Sequence, residues 1–291
     1  MPHAAINGAS IYYEEAGAGF PLVLVHEFAG SYESWREQVR FLSRHYRVVT
    51  YNARGYPPSS VPEDPAAYSQ DIAVEDLYQL LRHLNISQGY IGGLSMGGAL
   101  TVVFGVTHPE MCRALIIAGA GTGSTDPERF RAQCEAFAGR LDAGGMRGLT
   151  DYCKGPTRVQ LLRKDPAAWQ EFADLFYQHS AFGSACTFRQ VQGKRPPIFA
   201  YKEQLQRLQT PALILAGDED DPCLEPALFL KRALNQSALI TFPRSGHGIN
   251  LEEPELFNTS ILNFLRDVEA GRWGGRQQGD GAGFLIETAT P

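Results

Sequence analysis

The chain has 291 residues, of which 44% are apolar and 20% charged, and it carries a net charge of −6. That length sits just above the usual limit of one hydrophobic core, so one domain with an inserted subdomain and two domains are both open. The acidic balance gives no electrostatic reason to expect nucleic acid or an anionic membrane as partner.

Met1–Glu15 lacks the basic segment and apolar run of a secretion signal, and no apolar stretch approaches the ~20 residues that span a bilayer. Five cysteines, Cys112, Cys134, Cys153, Cys186 and Cys223, are scattered and odd in number. They read as free thiols in a reducing compartment, and the expected location is the cytoplasm.

Asn7-Gly8 between two short β-prone segments predicts an antiparallel hairpin at a sheet edge. The apolar run Leu22–Val25 predicts a strand covered on both faces, and a helix is expected over about Tyr32–Ser43 before the strand Arg47–Tyr51. Ile72, Leu77, Leu80, Leu81 and Leu84 give Ser69–Leu84 one apolar helical face, with Ser69 as cap. A strand at Tyr90-Ile91, a helix over Met96–Val106 and a strand at Ala114–Ala118 follow. Such alternation implies a mostly parallel sheet with helices on both faces.

From about Gly121 to Leu208 the strand signal stops and helices are expected, notably Asp126–Arg140 and Asp165–Phe182. Alternation resumes with the strand Ala212–Ala216, a helix around Glu225–Leu234, the strand Ala238–Thr241 and a closing helix over Pro254–Val268. The expected division is a core of residues 1–121 and 209–268, a helical insertion of residues 122–208, and a glycine-rich flexible tail of residues 269–291. The alternative for the tail is that Phe284–Ile286 docks on its own domain or on a partner's sheet edge.

Gly93-x-Ser95-x-Gly97 lies between a strand and a helix. A serine on so tight a turn has its hydroxyl exposed, and the close backbone approach on either side demands glycine. The helix from Met96 aims free N–H groups and its positive end at the same point, which suits a developing oxyanion. A serine needs a base, and of seven histidines His247 is the candidate, in the small-residue loop Ser245-Gly246-His247-Gly248 before the last helix. His3, His45, His83, His108 and His179 fall in a terminus, in helices or at helix ends, and His26 reads as a structural histidine of its loop.

The orienting acid is expected after the strand Ala212–Ala216, where Asp218-Glu219-Asp220-Asp221 supplies four adjacent carboxylates. Local physics does not choose among them. The amides of Phe28, in the loop after Leu22–Val25, and Met96 are the expected oxyanion donors. Gly119-Ala120-Gly121-Thr122-Gly123 fails the dinucleotide pattern because residue 124 is serine, and no histidine or cysteine spacing suggests a metal. No cofactor is expected.

The assembled pattern resembles the α/β-hydrolase superfamily from about residue 4 to 268. It is most similar to the small bacterial cap-bearing hydrolases, which include esterases, enol-lactonases, meta-cleavage-product hydrolases and cofactor-free haloperoxidase-like enzymes. The resemblance implies an eight-stranded, mostly parallel sheet with a helical cap. It also implies Asp220 as the triad acid, three residues after Gly217, with Asp218 second and Asp221 third. Two departures stand out: Glu27 where the family has glycine after histidine, and Asn52 where it has aspartate.

Glu27 has two readings, substrate contact or solvent exposure. Solvent is expected, because an ionised side chain is rarely left unpaired in a dry site. Trp169, Phe172 and Phe176 fall at helical spacing and join Glu27 as candidate substrate contacts, although most such aromatics pack cap against core. The expected partner is a small, apolar or aromatic ester or lactone, and a homo-oligomer is compatible with the sequence. The alternatives are a C–C bond hydrolase of a diketone-like substrate and a ligand-binding receptor that retains the triad without turnover.

Overall fold

The computed structural model describes residues 2–275. Asn7 and Gly8 have φ of 45° and 71°, the paired positive values that let a two-residue turn follow strand twist. They join strands β1 (His3–Ile6) and β2 (Ala9–Ala16) as an antiparallel edge hairpin. Six further strands are β3 (Pro21–Val25), β4 (Arg47–Tyr51), β5 (Gly89–Leu94), β6 (Cys112–Ala118), β7 (Ala212–Gly217) and β8 (Ser237–Phe242). The sheet order is β1-β2-β4-β3-β5-β6-β7-β8, parallel from β4 onward.

From β3 the chain winds to β4 on one side and then returns to β5 on the other. The carboxyl ends of β3 and β5 therefore border the crevice where loops diverge to opposite faces, the usual place for a site in such a sheet. Alternating side chains divide the core into two layers. Val23, Val25 and Ile91 pack with helices α2 (Gln70–His83) and α3 (Met96–Thr107), while Leu22, Leu24 and Tyr90 pack under the last helix, Pro254–Glu269. Ser69 caps α2, its Oγ accepting the Ile72 N–H at 3.0 Å.

The segment expected as one helix over 32–43 is a 3-10 turn, Tyr32–Trp35, running into α1 (Arg36–Leu42). Ser31 explains the tight start, because its side chain accepts the Glu33 N–H and forms a capping box with Ser34.

Between β6 and β7 the regular elements are all helical, chiefly α4 (Pro127–Gly144), α5 (Val159–Lys164), α6 (Pro166–Tyr177), α7 (Ala181–Cys186) and α8 (Lys202–Arg207). The helix expected over 165–182 is two helices, because Ser180 starts a new one by accepting the Gly183 N–H. Phe28 and Tyr56 of the core join Phe172, Phe176 and Phe188 of the insertion in one apolar cluster, each buried ring stabilising by roughly 1.5–3 kcal/mol. Cap and core backbones also touch directly: a Cβ on Gly183 would lie 2.1 Å from the Gly55 carbonyl oxygen.

After β7 come α9 (Asp221–Ala233), α10 (Ile249–Glu252) and α11 (Pro254–Glu269). Beyond α11, Trp273 folds back on Phe264 and donates from Nε1 to the Gln236 carbonyl at 3.1 Å. Phe284–Ile286 and the rest of the tail beyond Gly275 lie outside the described residues. Among the described residues no helix is long and apolar enough to cross a membrane.

Candidate active site

Ser95 stands between β5 and α3 with φ 57° and ψ −110°, a region that non-glycine residues occupy only when their surroundings enforce it. The glycines enforce it here. A Cβ on Gly93 would lie 2.4 Å from the Gly97 carbonyl, and one on Gly97 would lie 2.1 Å from the Val25 oxygen. The Ser95 N–H donates to the Ala118 carbonyl at 2.8 Å. Met96 opens α3, so its N–H belongs to the first turn, where amides lack an intrahelical acceptor.

The Gly217–Asp221 segment separates its four carboxylates. Asp218 Oδ1 accepts the Ser245 N–H at 3.1 Å, Glu219 Oε2 accepts the Gln160 side-chain amide at 2.9 Å, and Asp221 begins α9; all three are exposed. Asp220 is 1% exposed, and its Oδ2 lies 2.7 Å from His247 Nδ1. Burial works against a charged imidazole at His247, but the Asp220 carboxylate outweighs it and holds the pKa above the ordinary value. With Nδ1–H committed to Asp220, the neutral ring keeps Nε2 as an acceptor. Ser95, Asp220 and His247 line one cavity of about 330 Å³, walled by Phe130, Phe137, Tyr152 and Phe188.

The His247 loop is held from three sides. Its own N–H donates to the Thr157 carbonyl of the cap at 2.6 Å. The Glu252 carboxylate accepts the N–H groups of Gly246 at 2.8 Å and Gly248 at 3.1 Å. On the Asp220 side, Cys223 Sγ is 3.9 Å from His247 Nδ1 and donates to the Gly119 carbonyl at 3.2 Å. Asp220, Cys223 and His247 thus bring three potential ligand atoms within 4.8 Å of one another. Burial pushes the Cys223 thiol well up, and the nearest Asp220 and His247 atoms of this group are bonded to each other.

On the opposite loop, His26 Nδ1 is 2.6 Å from the Glu27 carbonyl and its Nε2 is 3.0 Å from the Ala53 N–H. The matching tautomer is neutral with the proton on Nδ1, and burial lowers the pKa to about 4. Phe28 is buried, its ring 3.9 Å from that of Phe188. The expectation that Glu27 faces solvent is corrected: it is 2% exposed and forms a two-pronged ion pair with the buried guanidinium of Arg158 from the cap. The pair answers the objection to a dry carboxylate by supplying a counter-charge, and burial of Glu27 is outweighed by Arg158, which keeps its pKa low.

The three cap aromatics singled out by spacing sit behind the cavity wall. Trp169 donates from Nε1 to the Cys153 carbonyl at 2.8 Å, Phe172 lies beneath the Arg158 guanidinium, and Phe176 stacks on Tyr152. They are buttresses because α6 packs on the outer side of the residues that line the cavity. Phe130 and Phe137 of α4 line it instead, and their seven-residue separation on one helix was a legible signal. Thr157 and Arg158 carried none, since their partners lie far away in sequence; Glu252 is only four and six residues from the amides it holds, and its role was missed because an acid before a helix is ordinarily solvated.

A family model described as alpha/beta hydrolase fold matches residues 21–254. A putative non-heme chloroperoxidase of Synechocystis sp. is 27% identical over 285 residues, covering 91% of this chain and 100% of that protein. A 2-hydroxy-6-oxo-6-(2'-aminophenyl)hexa-2,4-dienoic acid hydrolase of Metapseudomonas resinovorans is 26% identical over 265 residues, covering 89% and 88%. Among solved structures, a thermophilic esterase from Thermogutta terrifontis superposes with a TM-score of 0.83 at 23% identity, covering 92% of this chain and 98% of that one. At that identity the likeness speaks for the fold.

Proposed function

The chain belongs to the α/β-hydrolase fold family, and we propose that it is a serine hydrolase of small, apolar or aromatic esters or lactones, acting through an acyl-enzyme on Ser95. The observation that carries this reading is the His247–Asp220 bond at 2.7 Å in the cavity that Ser95 also lines.

In the reading, Ser95 Oγ attacks the carbonyl carbon while His247 Nε2 takes its proton. Asp220 stabilises the imidazolium that forms. The amides of Phe28 and Met96 receive the oxyanion, and the tetrahedral intermediate collapses as His247 returns the proton to the leaving oxygen. Water, deprotonated by His247, then attacks the acyl carbon and releases the acid with Ser95 restored. Four aromatic rings around about 330 Å³ favour a compact acyl group with an apolar or aromatic face.

A fluorophosphonate should label Ser95, and mapping the adduct to any other residue overturns the assignment. Substrate order comes from kcat/KM across esters, lactones and diketones. The relative named as a dienoic acid hydrolase supports a second reading, C–C bond hydrolysis of a diketone-like substrate by the same residues. Turnover of such a diketone with negligible ester cleavage favours it. A ligand-binding receptor with an idle triad would instead give a burst of one equivalent and almost no steady rate.

A further inference from the structure

Arg158 is the only lysine or arginine among the described residues lining the Ser95 cavity. Standing free, it would draw a substrate carboxylate into a two-pronged bond, the strongest geometry a guanidinium offers. It does not stand free. One Nη donates to Glu27 Oε1 at 3.2 Å, and the other reaches both Glu27 Oε2 and the Tyr152 hydroxyl. The Tyr152 ring lies 4.7 Å and the Phe172 ring 5.4 Å from the guanidinium carbon, so its flat faces are covered as well. Both partners are buried, and Glu27 cannot yield its place to a ligand without being left as an unpaired charge away from water. The other charges on the lining are also committed, Asp220 to His247 and Asp151 to Arg140.

We propose that the Glu27–Arg158 pair is a charge filter that reserves this cavity for uncharged substrates, with Glu27 as the specificity-determining residue. The proposal rests on the hydrolase reading for its kinetic test but not for its binding test. A carboxylate entering the cavity meets a guanidinium already neutralised and a second carboxylate behind it. An uncharged ester meets the aromatic rings and the neutral side chains of Gln133 and Gln192 without a charge of its own to desolvate. Glu27→Gln keeps the shape and removes the counter-charge, which turns the same wall into an anion site.

The kinetic test compares p-nitrophenyl 4-methylpentanoate with its near-isostere p-nitrophenyl hemisuccinate. The wild-type chain should favour the neutral ester by about tenfold or more in kcat/KM, and Glu27→Gln should shift the ratio toward the hemisuccinate by about tenfold or more. Adding Arg158→Met to Glu27→Gln should restore the neutral preference, which a mere cap-to-core tether would not do. Equal use of both esters by the wild type, or a ratio within about twofold of wild type in folded Glu27→Gln, overturns the proposal. Should Glu27→Gln not fold, the wild-type ratio decides. Should neither ester turn over, fluorophosphonate labelling still decides the Ser95 reading, and calorimetric binding of benzamide and benzoate to Ser95→Ala decides the filter. Benzamide should bind about tenfold tighter or better; benzoate binding as well as benzamide, or no benzamide binding at millimolar concentration, overturns it.

Discussion

Asp220 and His247 meet at 2.7 Å where neither side chain faces open water, 27 residues apart in the chain and on loops that follow adjacent parallel strands. The neighbouring carboxylates of the same loop point elsewhere. Asp220→Asn should therefore lower kcat by about 10⁴, whereas the same change at exposed Asp218 or Asp221 should cost less than about threefold. The pH profile separates a chemical from a structural effect. His247 must be neutral to act as base, and Asp220 holds its pKa above the ordinary 6.5. Wild-type kcat/KM should rise with pH through that raised value, and in Asp220→Asn the limb should move to lower pH as burial dominates.

Ser95→Ala should lower esterase activity by about 10⁴-fold or more and abolish fluorophosphonate labelling. The backbone at φ 57° suits alanine no worse than serine, so the thermal midpoint should move by only a few degrees. Near wild-type turnover in a folded Ser95→Ala chain would falsify the nucleophile assignment.

Gly97→Ala should destabilise by more than about 3 kcal/mol or prevent folding, because the new Cβ would sit 2.1 Å from a carbonyl of β3, which the sheet holds in place. Gly139→Ala is the control. That glycine lies within α4 with nothing inside 4 Å of the added carbon, so the change should stabilise by about 0.5–1 kcal/mol. Urea midpoints of the two variants check both signs.

His26 predicts acid sensitivity. Its pKa is about 4 in the fold, against about 6.5 in an unfolded chain, because burial disfavours the charged ring. The unfolded state therefore binds the extra proton first. Stability is fully present above pH 6.5 and is lost as pH falls toward 4, by about 3 kcal/mol from this residue. His26→Asn should flatten that part of the pH dependence of the urea midpoint; an unchanged slope would remove His26 as its source.

Much of this molecule was legible in one dimension. The Asn7-Gly8 hairpin, the apolar run at β3 and the capped face of α2 rest on interactions within a few residues, and all three stand as expected. The elbow was legible for the same reason, since a strand, a tight glycine-flanked turn and a helix are neighbours in the chain. The helix boundaries at Ser31 and Ser180 were less so, because a serine side chain can cap a helix start or simply decorate it, and the flanking pattern does not distinguish the two.

The choice of Asp220 among four acids and the fate of Glu27 were of another kind. Nothing near Glu27 in sequence announces Arg158, 131 residues away, and nothing near His247 announces Asp220, 27 residues back, or the Thr157 carbonyl above it. Periodicity and turn chemistry are short-range, so they mark which residues can carry chemistry. Which charge meets which is set by packing at long range, of the loops after β7 and β8 for Asp220 and His247 and of cap on core for Glu27 and Arg158. Burial then makes each pairing decisive, because a charge removed from water must find its partner or be neutralised.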